Sequence, residues 1–115
     1  LEAQAMARPV VVSDLAAGLV GGLGVVPGAN MGDDCAVFEA VHGSAPDIAG
    51  KGTANPTAFL MSSVMMLQYL KQDSAATRLQ NAIEAVFAEG KDTTPDVGGK
   101  ATTTQFTDAI IKRLG

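Results

Sequence analysis

The chain is short of the groups that usually anchor or staple a small domain. It has no Trp, one Tyr and four Phe, so packing must come from Ala, Val, Leu, Ile and Met. Its single cysteine, Cys35, excludes an internal disulfide framework and fits a reducing compartment. The expectation for Cys35 is a small buried hydrophobe in a strand. Charged residues make up only 17%, against about a quarter in an ordinary globular domain, and that shortage points to surface meant for burial. The formal net charge is -4 with no run of Lys or Arg, which excludes a nucleic-acid footprint.

Long apolar runs are missing too. A membrane span needs roughly 18 to 20 apolar residues, and the longest candidate, residues 58–70, is broken by Ser62, Ser63 and Gln68. No membrane partner is expected. No GxGxxG follows a strand pattern, and Gly50-Lys51-Gly52-Thr53 lacks the spacing of a phosphate-cradling P-loop. Ser44 has no nucleophile-elbow setting, and paired glycosidase carboxylates and zinc-spaced Cys/His sets are absent. Residues 1–12 carry one basic residue, Arg8, and no long apolar core, so they do not read as a cleavable targeting peptide.

What the chain does have is concentrated in residues 38–56, FEAVHGSAPDIAGKGTANP. Hydrogen-bonding side chains, Gly43, Gly50, Gly52 and two prolines lie there between apolar runs, which is how a binding loop on a rigid scaffold looks. Before it, Ser13 and Asp14 suit a helix start, and Leu15, Leu19 and Leu23 recur at helical spacing. Val26-Pro27-Gly28-Ala29 fits a type II turn. Cys35-Ala36-Val37-Phe38 reads as a buried strand that delivers Glu39 and His42 to its C-terminal end, where open α/β sheets hold ligands.

After the loop, Asn55-Pro56 opens a helix that runs to Leu70 and is apolar on nearly every side, as in a core or a subunit interface. A second helix starts at Asp73 or Ser74 and stops at Gly90, with Leu79, Ala82, Ile83, Val86 and Phe87 on one stripe. Residues 91–103 form a second loop of turn-formers, long enough to be a candidate for function. Thr104 then caps a last helix with Phe106 and Ile110 inside.

Three groups stand out chemically. Asp14 offers a carboxylate to a hard divalent cation, although one carboxylate is not a site and its position favours a helix-start role. His42, beside Gly43, can stack on a planar ligand or be an ordinary satisfied polar residue. The Asp47 carboxylate can accept both hydroxyls of an adenosine ribose and repel an added phosphate, or simply cap a turn. The residues alone leave these alternatives open.

The string SDLAAGLVGGLGVVPGANMGDDCAVFEAVHGSAPDIAGKGTANPTAFLMSSVMML resembles the C-terminal part of the β-decarboxylating dehydrogenases, the isocitrate and 3-isopropylmalate dehydrogenase family. The likeness spans about residues 13–115, including EGKDTTPDVGGKATTTQF. Val26-Pro27-Gly28-Ala29-Asn30 is similar to the isocitrate branch, nearest to NAD-dependent mitochondrial subunits, with the isopropylmalate branch as the alternative. The resemblance implies a non-Rossmann α/β fold with a few short strands and about four helices. It implies a cofactor-binding C-terminal portion at 13–115 behind a divergent or foreign amino terminus at 1–12.

By the same resemblance, His42, Gly43, Ser44, Ala45, Pro46, Asp47 and Ile48 match the adenosine-binding loop, and Asp47-Ile48 is similar to the NAD-type pair where NADP-type relatives carry Lys-Tyr. Asn55 matches the position that meets the adenine, Glu39 the acidic residue before the His-Gly, and Asp96 a second cofactor loop. The implied reaction is oxidation of isocitrate by hydride transfer to NAD, followed by Mg2+- or Mn2+-assisted loss of a carboxylate in the tricarboxylic acid cycle. Asp14 would be one metal ligand. Val10 stands where the family carries another Asp, and the family's upstream catalytic residues have no counterpart before Ser13. The expectation is therefore a terminal fragment or a product with a foreign amino terminus, inactive alone, from an oligomer in the mitochondrial matrix or otherwise the cytoplasm. A regulatory nucleotide-binding subunit and an assembly fragment remain alternatives.

Overall fold

The computed structural model describes residues 26–115. The helix expected from Ser13, together with Asp14 and Val10, lies outside the described residues. The order of elements is β1 (Val26–Met31), β2 (Ala36–Val41), a 3-10 turn at Pro46–Ile48, α1 (Thr57–Tyr69), α2 (Asp73–Glu89), a second 3-10 turn at Pro95–Val97, and α3 (Thr103–Leu114). The described residues thus form an α/β unit of two strands and three α-helices.

β1 and β2 form an antiparallel pair, with Val26 opposite Val41 and Ala29 opposite Phe38. This corrects two sequence expectations. The Pro27-Gly28 step is a strand, not a type II turn: such a turn needs positive φ at Gly28, and Gly28 instead keeps extended backbone opposite Glu39. A side chain there would crowd Val41 and the Glu39 carbonyl, at 3.2 and 3.3 Å from its Cβ, so glycine serves the close approach of the strands. The reversal falls at residues 32–35 instead, where the Gly32 N–H donates to the Cys35 carbonyl at 2.8 Å. Cys35 sits in that turn and is exposed, so it is not the buried strand residue expected. β2 likewise begins at Ala36, and half-exposed positions alternate along it.

α1 starts where Asn55-Pro56 predicts. Asn55 Oδ1 accepts from the Thr57 N–H at 3.0 Å and from the Thr57 hydroxyl at 2.6 Å, satisfying a donor that the helix start leaves free. α1 packs against both strands and α2. Ser62, 2% exposed, joins it to the hairpin by donating to the Glu39 carbonyl at 2.5 Å. The helix does not bury itself on every side: Thr57, Ala58, Ser62 and Val64 are buried, whereas Phe59, Met66 and Tyr69 are exposed.

α2 ends at Gly90, whose φ of 64° is the left-handed conformation expected of a glycine stop. α3 begins two residues earlier than its sequence suggests. Thr102 is the cap, its side chain accepting from Gln105 N while Gln105 Oε1 accepts from Thr102 N, a reciprocal capping box. The core lies between the helices: Val64 of α1, Ala76, Ala82, Ile83 and Val86 of α2, and Phe106, Ala109 and Ile110 of α3.

At the far end Arg113 pairs with Glu89 and also donates to the Ala109 carbonyl at 2.6 Å. The Arg113 hydrogen bond, and then its charge, hold the Glu89 carboxyl below its usual range. A lowered folded-state value means that this contribution is present above the unfolded carboxylate range and is lost as pH falls through the folded value. Glu89→Gln is accordingly expected to lower the melting temperature slightly at neutral pH, because the pair is exposed. The difference closes in acid, as thermal melts at a series of pH values would show. A gap that persists at low pH would contradict the pairing.

Candidate functional site

Beyond the C-terminal end of β2 the chain lines a cavity of about 640 Å³, within the range of small-molecule sites. Three segments build it: the loop after β2, the residues leading into α1, and the second loop with the start of α3. The first loop turns at Ala45, which holds a left-handed φ of 39° that a side chain adopts only under strain. The 3-10 turn that follows places Ile48 on the wall.

The second segment is tied to the third by hydrogen bonds across long stretches of chain. Thr103 N–H donates to the Gly52 carbonyl at 2.8 Å, and the Thr103 hydroxyl donates to the Ala54 carbonyl at 2.5 Å. Asn55 Nδ2 donates to Asp96 Oδ2 at 2.9 Å, joining residues 41 positions apart. The second loop is itself built tightly. Thr93 and Thr94 are buried, the Ala101 N–H donates to the Thr93 carbonyl at 2.9 Å, and a Cβ on Gly99 would overlap that carbonyl. The Thr94 hydroxyl is buried without a partner. This segment is therefore an ordered wall and not a loose connection.

Of the ten residues singled out for cofactor binding, His42, Gly43, Ser44, Ala45, Ile48, Asn55 and Asp96 line the cavity. Three do not. Glu39 lies within β2, and its carboxylate accepts from Asn30 Nδ2 of β1 at 3.0 Å. Pro46 and Asp47 form the exposed side of the 3-10 turn, next to Ile48 but off the wall. The expectation that the C-terminal end of β2 would lead into the site agrees with His42 and Gly43 on the wall, but the strand end does not build the site alone. The strands are antiparallel, and the cavity depends on α1 and the second loop.

Sequence reasoning missed Gly52, Thr53, Phe59, Val97 and Thr103 on the wall. The run of turn-formers at 50–55 hinted at the first two. Nothing local marks Thr103, whose partners lie about fifty positions away in the chain.

The wall is chiefly apolar, with Ile48, Phe59 and Val97 presenting exposed side chains beside a few polar groups. His42 Nδ1 donates to the Gly43 carbonyl at 3.1 Å, which requires a proton on Nδ1. Asn55 brings an amide and Asp96 a carboxylate. This mixture suits an organic ligand with flat apolar faces and polar edges. Among the described residues no group of three or more His, Cys, Asp or Glu could hold a metal ion. Nor is any helix of the described residues long and apolar enough to cross a membrane.

The three-dimensional arrangement matches part of the isocitrate dehydrogenase fold. The crystal structure of isocitrate dehydrogenase from Methylococcus capsulatus superposes with a TM-score of 0.83 at 50% identity, over 90% of this chain and 31% of that one. Residues 10–110 match the isocitrate/isopropylmalate dehydrogenase family, and the chain belongs to it. Isocitrate/homoisocitrate dehydrogenase of Thermus thermophilus is 59% identical over 90% of this chain and 31% of its own length. The mitochondrial NAD-dependent isocitrate dehydrogenase catalytic subunit 5 of Arabidopsis thaliana is 58% identical over 90% of this chain and 28% of its own. An isocitrate dehydrogenase of Thermus thermophilus named for NADP is 52% identical over 91% of this chain and 22% of its own. The chain thus spans about a third or less of the length of these relatives.

Proposed function

We propose that the chain forms the adenosine-binding part of an NAD-dependent isocitrate dehydrogenase that converts isocitrate to 2-oxoglutarate in the mitochondrial matrix as an oligomer. The observation that carries this reading is the cavity itself. Its wall unites residues 42–45 and Ile48 with the Asn55–Asp96 pair, groups singled out for cofactor binding and far apart in the chain.

In this reading His42, Ser44, Asn55 and Asp96 give the polar edge of the site, and Ile48, Phe59 and Val97 enclose a flat base. Asp47, just outside the wall, meets the ribose at the rim and sets the preference for NAD. Bound NAD would supply the hydride acceptor. The chain's described residues bind and orient it and exclude water from one end. Asp14, the residue assigned to Mg2+ or Mn2+, lies outside them, so no step through the metal is assigned. Val10, in place of the family's second Asp, favours one further reading, a regulatory subunit that binds nucleotide without turnover.

Calorimetric titration of the chain with NAD and with NADP tests the proposal. Saturable NAD binding that exceeds NADP binding is expected, with no turnover of isocitrate by the chain alone. Absence of any nucleotide binding would refute the adenosine site, and steady turnover would refute the assignment of catalysis to residues outside this chain.

A further inference from the structure

Between Ile48 and Asn55 the wall of the cavity has little packing to hold it. Gly50 and Gly52 take left-handed φ values of 76° and 63°, and the space where a Cβ would stand on either is open for 4 Å. The Lys51 N–H donates to the nearby Ile48 carbonyl at 3.0 Å, which fixes the local turn and not its place on the helices. Thr103 supplies that place. It is the first residue of α3, where a helix leaves N–H groups without partners, and its N–H donates to the Gly52 carbonyl at 2.8 Å. Its hydroxyl donates to the Ala54 carbonyl at 2.5 Å. The cap of α3 is Thr102, whose side chain already serves Gln105 N, so the Thr103 hydroxyl is not needed to start the helix. Phe106, Ala109 and Ile110 seal the same helix into the core, which makes Thr103 the fixed side of the contact and residues 52–54 the movable side.

We propose that Thr103 is a positioning residue for the ligand of this cavity: its hydroxyl and N–H form a latch that holds the backbone of residues 52–54 against α3, where the wall must stand before a nucleotide enters. The proposal rests on the dinucleotide reading and adds to it how the wall is held. Thr103 acts through the backbone it fixes and need not touch the ligand. A wall ordered in advance spares the bound state the entropy of fixing a glycine-rich segment, so a released latch lowers affinity without changing which ligand fits. The Asn55–Asp96 hydrogen bond, 2.9 Å long, still ties the end of the same segment to the second loop. Loss of the Thr103 hydroxyl therefore loosens the site and does not abolish it.

The test compares Thr103→Val, which removes the hydroxyl and keeps the N–H, with Thr103→Ser, which keeps both donors. In calorimetric titrations the Val variant is expected to bind NAD about three- to tenfold more weakly than the unmodified chain, the scale of one net hydrogen bond. It is expected to melt close to the unmodified chain, since the lost bond is exposed to water, and the Ser variant restores the affinity. Amide exchange gives a second readout on the unmodified chain. Because an open latch does not bind, NAD slows exchange of the Thr103 amide by the factor by which it shifts the opening equilibrium, about a hundredfold at a hundred times Kd. Unchanged affinity in Thr103→Val, or an equal loss in Thr103→Ser, would overturn the proposal and leave the nucleotide site standing. So would a Thr103 amide that exchanges at the same rate under saturating NAD, and that measurement decides alone if the Val variant does not fold. An unmodified chain that binds no NAD would overturn the nucleotide reading and the proposal with it.

Discussion

Phe106→Ala is expected to lower the unfolding free energy by about 3–5 kcal/mol, the range for truncating a fully buried Phe. Phe106 has no exposed surface and stands edge-on to Phe87 with ring centres 5.5 Å apart. The space it vacates is bounded by Val86 and Ile110, which are themselves almost completely buried, and by helices whose ends are pinned by the Thr102 capping box and by Gly90. Little collapse into the gap is available, so a cavity term adds to the lost transfer free energy. A domain of ordinary stability has only about 5–15 kcal/mol in total. Because α3 also carries Thr103 to the cavity, ligand binding is expected to weaken with the fold. Urea unfolding followed by circular dichroism would measure the change, and a loss below about 1.5 kcal/mol, the scale of a volume-conserving swap, would show that the site relaxes and that the core is not organised around this ring.

Asp47→Lys is expected to weaken NAD binding at least tenfold and to improve NADP binding. An ionised carboxylate accepts from ribose hydroxyls and repels the charge of a 2′-phosphate, whereas an ammonium reverses both effects, and a charge-assisted hydrogen bond contributes about 1.5–3 kcal/mol. The structure makes this a demanding test, since Asp47 is exposed and stands beside Ile48 without lining the wall. Parallel titrations with NAD and NADP would decide it. Unchanged affinities for both would mean that the preference between cofactors is set elsewhere, and the ribose role of Asp47 would be withdrawn.

The parts of the fold that could be read locally are those whose cause is local. Asn55 before Pro56 marks the start of α1 because a side-chain acceptor must serve a free backbone N–H, and Gly90 ends α2 because a left-handed residue favours glycine. The apolar stripe of α2 appears as the buried set Ala82, Ile83 and Val86. Where two local signals compete, reading failed. Pro27-Gly28 carries turn chemistry, yet pairing of Val26 with Val41 and Ala29 with Phe38 draws it into a strand. Thr102, Thr103 and Thr104 are equal as caps on paper, and only Gln105, three residues after Thr102, selects among them.

The candidate site divides in the same way. By itself the sequence determined the residue types, the family to which they point, and the two loops that would supply a cofactor site, because turn formers and polar side chains are chosen by local backbone needs. Tertiary structure alone decided that Asn55 meets Asp96, that Thr103 closes the wall against Gly52 and Ala54, and that Glu39 turns to Asn30 instead. The first two follow from how the helices pack around a shared core, and the third from the antiparallel pairing of β1 with β2. Contacts between residues more than forty positions apart are set by that packing and leave no periodic trace in the chain.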